Sequence, residues 1–208
     1  MSDPAAARHP PVRWGEPPPG RLAQWIARLR ASLGGPPPGA QFRSLPALPL
    51  ALRRGELAAP YLAAEAGGDH PRAGAAATSA MERSVAVAEW WPADIWGHRA
   101  LWHFEQAGMW LAAARGARLI GDLRVAAGDP ASARRYYAEA ISEARDIGAE
   151  REEGLAALGM GRAALDLGDV TTSRRLAQIA VDLLERGEGP EDEVTAALEL
   201  RGEEKEVP

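Results

Sequence analysis

Apolar residues recur along this chain at helical spacing in three separated stretches, and none of the stretches alternates in the manner of a strand. Between Arg21 and Leu33 the positions Leu22, Trp25, Ile26, Leu29 and Leu33 fall on one side, opposite Arg21, Gln24, Arg28 and Arg30. The pattern predicts a short basic amphipathic helix over 21–33, bracketed by Pro17-Pro18-Pro19-Gly20 and Pro36-Pro37-Pro38-Gly39. From Leu119 to Glu185 long periodic runs are punctuated by glycine. After Gly187, Gly189 and Pro190 a last helix is predicted over 191–202, with Val194, Ala197, Leu198 and the stem of Arg201 as its stripe and Glu191, Asp192 and Glu193 in its first turn.

The central stretch contains one pattern twice. LIGDLRVAAGDPASARRYYAEAISEA is followed by GMGRAALDLGDVTTSRRLAQIAVDLL, and aligning Gly128-Asp129 with Gly168-Asp169 gives a period of 40 residues. The alignment places Gly121 on Gly161, Ala133 on Ser173, Arg134-Arg135 on Arg174-Arg175, Tyr137 on Ala177, Ala140 on Ala180 and Ile141 on Val181. In each copy the glycine is suited to end a helix in the left-handed conformation. The aspartate caps the next helix, and Pro130 takes the first helical position, where a missing N–H does no harm. Small residues at 121, 133, 161 and 173 let the two helices approach closely. The expected unit is an antiparallel helix pair.

The order small residue, Gly-Asp, Ala, aromatic, Ala resembles the tetratricopeptide repeat over roughly 75 residues, with a period longer than that family's usual ~34 and with Ala117 and Ala157 at its early Trp position. The resemblance implies an all-α solenoid of stacked helix hairpins serving as a non-catalytic binding scaffold. It also implies that the first helix of each pair lines a groove presenting Arg115, Arg118 and Asp122, then Leu155, Leu158, Arg162 and Leu165. Three arginines there suit a carboxylate or an acidic peptide, and the alternative is a solvated face with i,i+4 pairs such as Arg118–Asp122.

Ahead of the repeats, Gly68-Asp69 followed by Ala73, Ala77 and Ala80 matches the offsets after Gly128-Asp129, so an earlier degenerate copy is expected between Glu56 and Met81. A competing signal is the capping box Ser79-Ala80-Met81-Glu82, which would start a helix running to Trp91. A helix from Pro92 follows, and Trp90, Trp91, Trp96, Trp102 and Trp110 crowd this region. Ile95, Trp102 and Gln106 share one side of it, whereas Trp96, Arg99, His103 and Trp110 lean to another, one face being core. The aromatic face is either a partner contact or filling for a broad core.

Composition narrows the function classes. The 208 residues contain no cysteine, which removes disulfides, thiolate metal sites and cysteine nucleophiles. No signal-type run or membrane-length apolar stretch is present, and the expected setting is cytoplasmic. Residues 1–60 carry a net charge of +5 and the remainder −10, and Lys205 is the single lysine. Arg43 to Pro49 fits an R-x-x-P-x-x-P pattern, or else a stiff linker. The 21–33 helix suits docking on its own repeats, a partner groove or an anionic surface. An acidic chain whose basic arm interleaves few aromatics, Trp14 and Trp25 among them, makes nucleic acid an unfavoured partner. Among four histidines, Asp94 and His98 stand i,i+4, and no third ligand at helical spacing joins them. Nothing matches H-E-x-x-H, a P-loop, G-x-G-x-x-G after a strand, or G-x-S-x-G.

The sequence thus predicts a Pro-rich, largely extended arm over 1–55 and an all-α helical-repeat domain over 56–208, with no metal, cofactor or catalytic role. Its expected function is to bind a protein or peptide, with an acidic partner favoured, through Arg115, Arg118, Asp122, Leu158, Arg162, Trp96, Trp102, His103 and Trp110. The alternative is a structural subunit, in a homo-oligomer or larger complex, assembled through the Trp-rich face and the arm helix.

Overall fold

A computed structural model describes residues 48–53 and 55–202, all within the compact unit that begins at Ala47. Residues 1–47 of the expected arm, with its helix at 21–33 and most of the R-x-x-P-x-x-P segment, and the acidic C-terminal tail lie outside the described residues. The end of that arm, expected to be largely extended, holds a helical turn. After a helical turn, α1 (Leu50–Arg53), come eight helices: α2 (Ala58–Ala66), α3 (His70–Ala86), α4 (Trp90–Gln106), α5 (Trp110–Ala126), α6 (Pro130–Asp146), α7 (Glu150–Asp166), α8 (Val170–Arg186) and α9 (Glu191–Arg201). No strand occurs among the described residues. Each helix packs on the next, and α5 with α7 and α7 with α9 also touch directly, so the described residues form a solenoid of hairpins.

The unit is finer than the 40-residue period. Each helix from α3 to α8 has 17 residues, about 25 Å, and each turn has three. A left-handed residue recurs every 20 positions, at Gly68, Ala88, Gly108, Gly128, Gly148, Gly168 and Glu188. After each, an N–H reaches back to the carbonyl five residues earlier, as Asp129 to Arg124 at 2.8 Å and Asp169 to Ala164 at 2.9 Å. This is the Schellman arrangement, which satisfies carbonyls that a helix end leaves open. Asp69, Asp129 and Asp169 then cap α3, α6 and α8 by accepting from the amides of Arg72, Ser132 and Thr172.

Two expectations are corrected. Gly68-Asp69 precedes Gly128-Asp129 by 60 residues, one and a half periods, so α3 is the counterpart of α5 and α7 rather than of α6. Ser79 is an interior residue of α3, which runs through Glu82 to Ala86; the chain turns at 87–89 and Trp90 and Trp91 open α4. The capping-box signal loses because Asp69 already caps the helix ten residues earlier and alanines carry it onward.

The core is alanine-rich and depends on close approach. Tyr137 of α6 inserts its ring between α5 and α7, where a Cβ at Gly121 would lie 2.7 Å, and one at Gly159 2.4 Å, from its Cε1. One period earlier the sizes are exchanged: Gly97 stands at the place of Tyr137 and Met81 at that of Gly121, and the Met81 Sδ fills the gap. At the far end Val194 and Leu198 of α9 pack on Ala157, Leu158, Ala180, Val181 and Leu184, and Ala197 is wholly buried, closing the stack as the sequence predicted.

Candidate functional site

Helices α5 and α7 carry the groove residues. Glu152, in the first turn of α7 and buried, accepts from the Nε atoms of Arg118 at 2.6 Å and Arg115 at 3.3 Å. Arg118 also donates to Asp122 at 2.9 Å, and the Tyr137 hydroxyl donates to the other Asp122 oxygen at 2.8 Å. Burial raises the Asp122 carboxyl above its ordinary value, against the pull of Arg118. Arg162 is exposed, and its charge is felt by Asp122 and Tyr137. The two arginines are therefore held in place by Glu152, a carboxylate of the chain itself. Arg115 keeps about half of its side chain in solvent, whereas Arg118 is mostly covered.

Arg115 borders a shallow open pocket of about 300 Å³, lined also by Leu111, Gly148, Ala149, Glu150, Arg151, Glu152 and Gly187. It lies on the stack edge formed by the α4–α5, α6–α7 and α8–α9 turns. On that edge Trp110 is 51% exposed, and Met109, Leu111 and Ile147 also present large apolar surface. The opposite edge has a second apolar group, Val87, Leu165, Leu167 and Val170.

Other expected contacts are interior. Trp96 is 1% exposed and meets Tyr61 edge-to-face at 5.3 Å; His103 and Leu158 are buried, and Trp102 is partly covered beside His70 and His103. The expectation that α4 turns only one face to the core is corrected, because every residue from Ala93 to Leu101 is buried. Of the expected tryptophans, Trp110 alone is largely open, and it begins α5 rather than continuing α4.

Two polar networks stabilise this buried α4. On one side Asp94 accepts from Arg124, and His98 donates from Nδ1 to the Asp94 carbonyl at 2.7 Å. A carbonyl only accepts, so His98 Nε2 carries no proton and receives the Tyr136 hydroxyl at 3.1 Å. Burial lowers the His98 pKa and keeps this tautomer neutral. On the other side Arg99, 1% exposed, donates to Tyr61 at 2.6 Å and to Glu65 at 3.2 Å. Tyr61 donates to Glu65 at 2.5 Å and contacts His103 Nε2 at 3.1 Å, while His103 Nδ1 meets His70 Nδ1 at 2.9 Å. Neither network opens onto the pocket described above.

One group of acids is close enough to share a cation. Glu105, at the end of α4, and Glu139 and Glu143, on α6, place one oxygen each within 4.8 Å of one another. Burial raises all three carboxyls, Glu105 to about 7 and Glu143 to about 8, so near neutrality the group retains protons. The periodicity of α4 and α6 contains this triad, but no local motif marks it, because its members come from different helices.

No helix among the described residues is long and apolar enough to cross a membrane. The chain matches no protein-family model and no curated protein.

Proposed function

We propose that this protein is a tetratricopeptide-like, non-catalytic adaptor that captures a peptide segment of a partner at the α5–α7 edge. The observation that carries the reading is the half-exposed Trp110, whose chain neighbour Leu111 lines a pocket together with Arg115. Large exposed apolar groups beside fixed charges are the composition of binding hot spots. A partner with one apolar anchor and an acidic flank fits, the anchor covering Trp110 and Leu111 and the flank meeting Arg115 and Arg162. Glu152 holds Arg115 partly ordered beforehand, which lowers the entropy lost on binding. A cytoplasmic setting suits the absence of cysteine.

Peptides selected from a random display library against the full chain test this. They are expected to share an apolar residue followed by acids, and to bind Trp110→Ala and Arg115→Ala about tenfold more weakly, about 1.4 kcal/mol each. Absence of a shared motif, or equal binding by both variants, removes the edge from the account.

A second reading, a structural subunit of an oligomer or larger complex, is favoured by the apolar group on the opposite edge, Val87, Leu165, Leu167 and Val170. Under it, mass from light scattering rises with concentration, and Leu167→Glu returns the chain to a monomer without altering peptide selection.

A further inference from the structure

The hydrogen bonds around Tyr61 admit one consistent placement of protons. The Tyr61 hydroxyl donates to Glu65, so its oxygen accepts both from Arg99 and from His103 Nε2. Neutral His103 then carries its proton on Nε2 and offers Nδ1 as an acceptor. The Nδ1 of His70, 2.9 Å away, is therefore the donor in that pair. A directed chain runs from His70, at the first position of α3, through His103 of α4 and Tyr61 of α2 to Glu65, whose side chain is 36% exposed.

This chain joins three helices, and α2 contributes only two polar groups to it, Tyr61 and Glu65. We propose that His103 is an acid-operated latch: while neutral it fastens α2 and the start of α3 to α4, and protonation at Nδ1 releases α2. The new N–H would point at the N–H of His70, so that hydrogen bond is lost. The imidazolium would also lie beside the buried Arg99 guanidinium with no carboxylate of its own, because Glu65 is engaged by Tyr61 and Arg99. The charged or titratable groups facing His103 are Tyr61 and, through it, Glu65 from α2, His70 from α3, and Arg99 on α4 itself. Departure of α2 uncovers the face of α4 that carries Trp96 and Arg99. Gly67 and Gly68, in the turn between α2 and α3, supply the hinge.

Burial, with smaller contributions from His70 and Arg99, lowers the His103 pKa to about 4. The released form titrates near the ordinary value, so the latched form is favoured above about pH 6.5 and loses that advantage as pH falls toward 4. From these values the opening equilibrium of α2 rises roughly 20-fold between pH 7 and pH 5.

Hydrogen exchange on the full chain, expressed as protection factors to remove the intrinsic pH dependence, tests this. Protection over 58–66 is expected to fall by that factor between pH 7 and 5 while protection over 150–166 holds, and His103→Gln, which still donates to Tyr61, is expected to lose the dependence. Should that variant not fold, the His103 imidazole resonances of the wild-type chain are titrated instead, and their transition must track the opening of α2. A pH-independent α2, an equal response in His103→Gln, or a His103 transition unrelated to α2 overturns the latch.

Discussion

Glycines inside helices ordinarily weaken them, yet Gly121 and Gly159 are required where they stand. A methyl group at 159 would press on the Tyr137 ring at 2.4 Å, and the ring cannot retreat because Gly121 and α5 lie on its other side. Gly159→Ala is therefore expected to cost about 1–3 kcal/mol in urea denaturation. Gly116→Ala, whose nearest neighbour is Leu101 Cα at 3.6 Å, is expected to gain up to about 1 kcal/mol from helix propensity. The Glu105, Glu139 and Glu143 group gives a second test at this scale. Its carboxyls keep protons in the fold that an unfolded chain would release near pH 4.5, so stability falls as pH rises from about 5 to 8. Glu143→Gln is expected to raise stability at pH 8 by about 1–2 kcal/mol, allowing for partial exposure, and to flatten the profile between pH 6.5 and 8, above the window in which His103 acts in the opposite sense.

At the scale of helices and turns, the 20-residue register depends on residues that tolerate positive φ. Five of the seven turns use glycine; Ala88 at φ 57° and Glu188 at φ 52° do not, and each carries the steric cost of the left-handed region. Ala88→Gly is expected to stabilise the chain by about 0.5–1 kcal/mol, and Gly128→Ala to destabilise it by about 1 kcal/mol, both read from thermal or urea midpoints. These turns also show where sequence was sufficient. Gly128-Asp129 and Gly168-Asp169 announce themselves because a left-handed residue and a side-chain cap are local chemistry. The turn at 88 has no glycine, and Gly108 and Gly148 are followed by Met109 and Ala149, which cap nothing, so the half-period was hidden.

At the scale of the whole molecule, the all-α hairpin stack was legible from repetition alone, whereas the site was legible only in part. Arg115, Arg118 and Asp122 gather as helical spacing requires. Their partner Glu152 lies 34 residues beyond Arg118 and is signalled only by the acids that open α7. The burial of Trp96, Arg99 and His103 could not be read from α4, because helical periodicity assigns polar residues to the solvent side. Here Tyr61 and Glu65 for one network, and Arg124 and Tyr136 for the other, satisfy them from 30 or more residues away.

The equal length of the helix-and-turn units constrains how such a chain can grow. Adding a single residue to one of these helices rotates everything beyond it by about 100° and carries alanines out to water. Adding one 20-residue unit reverses the direction of all later helices. Whole pairs are the natural step, so relatives of this chain are expected to differ in size by multiples of forty residues, each increment lengthening the stack by one more pair of ribs.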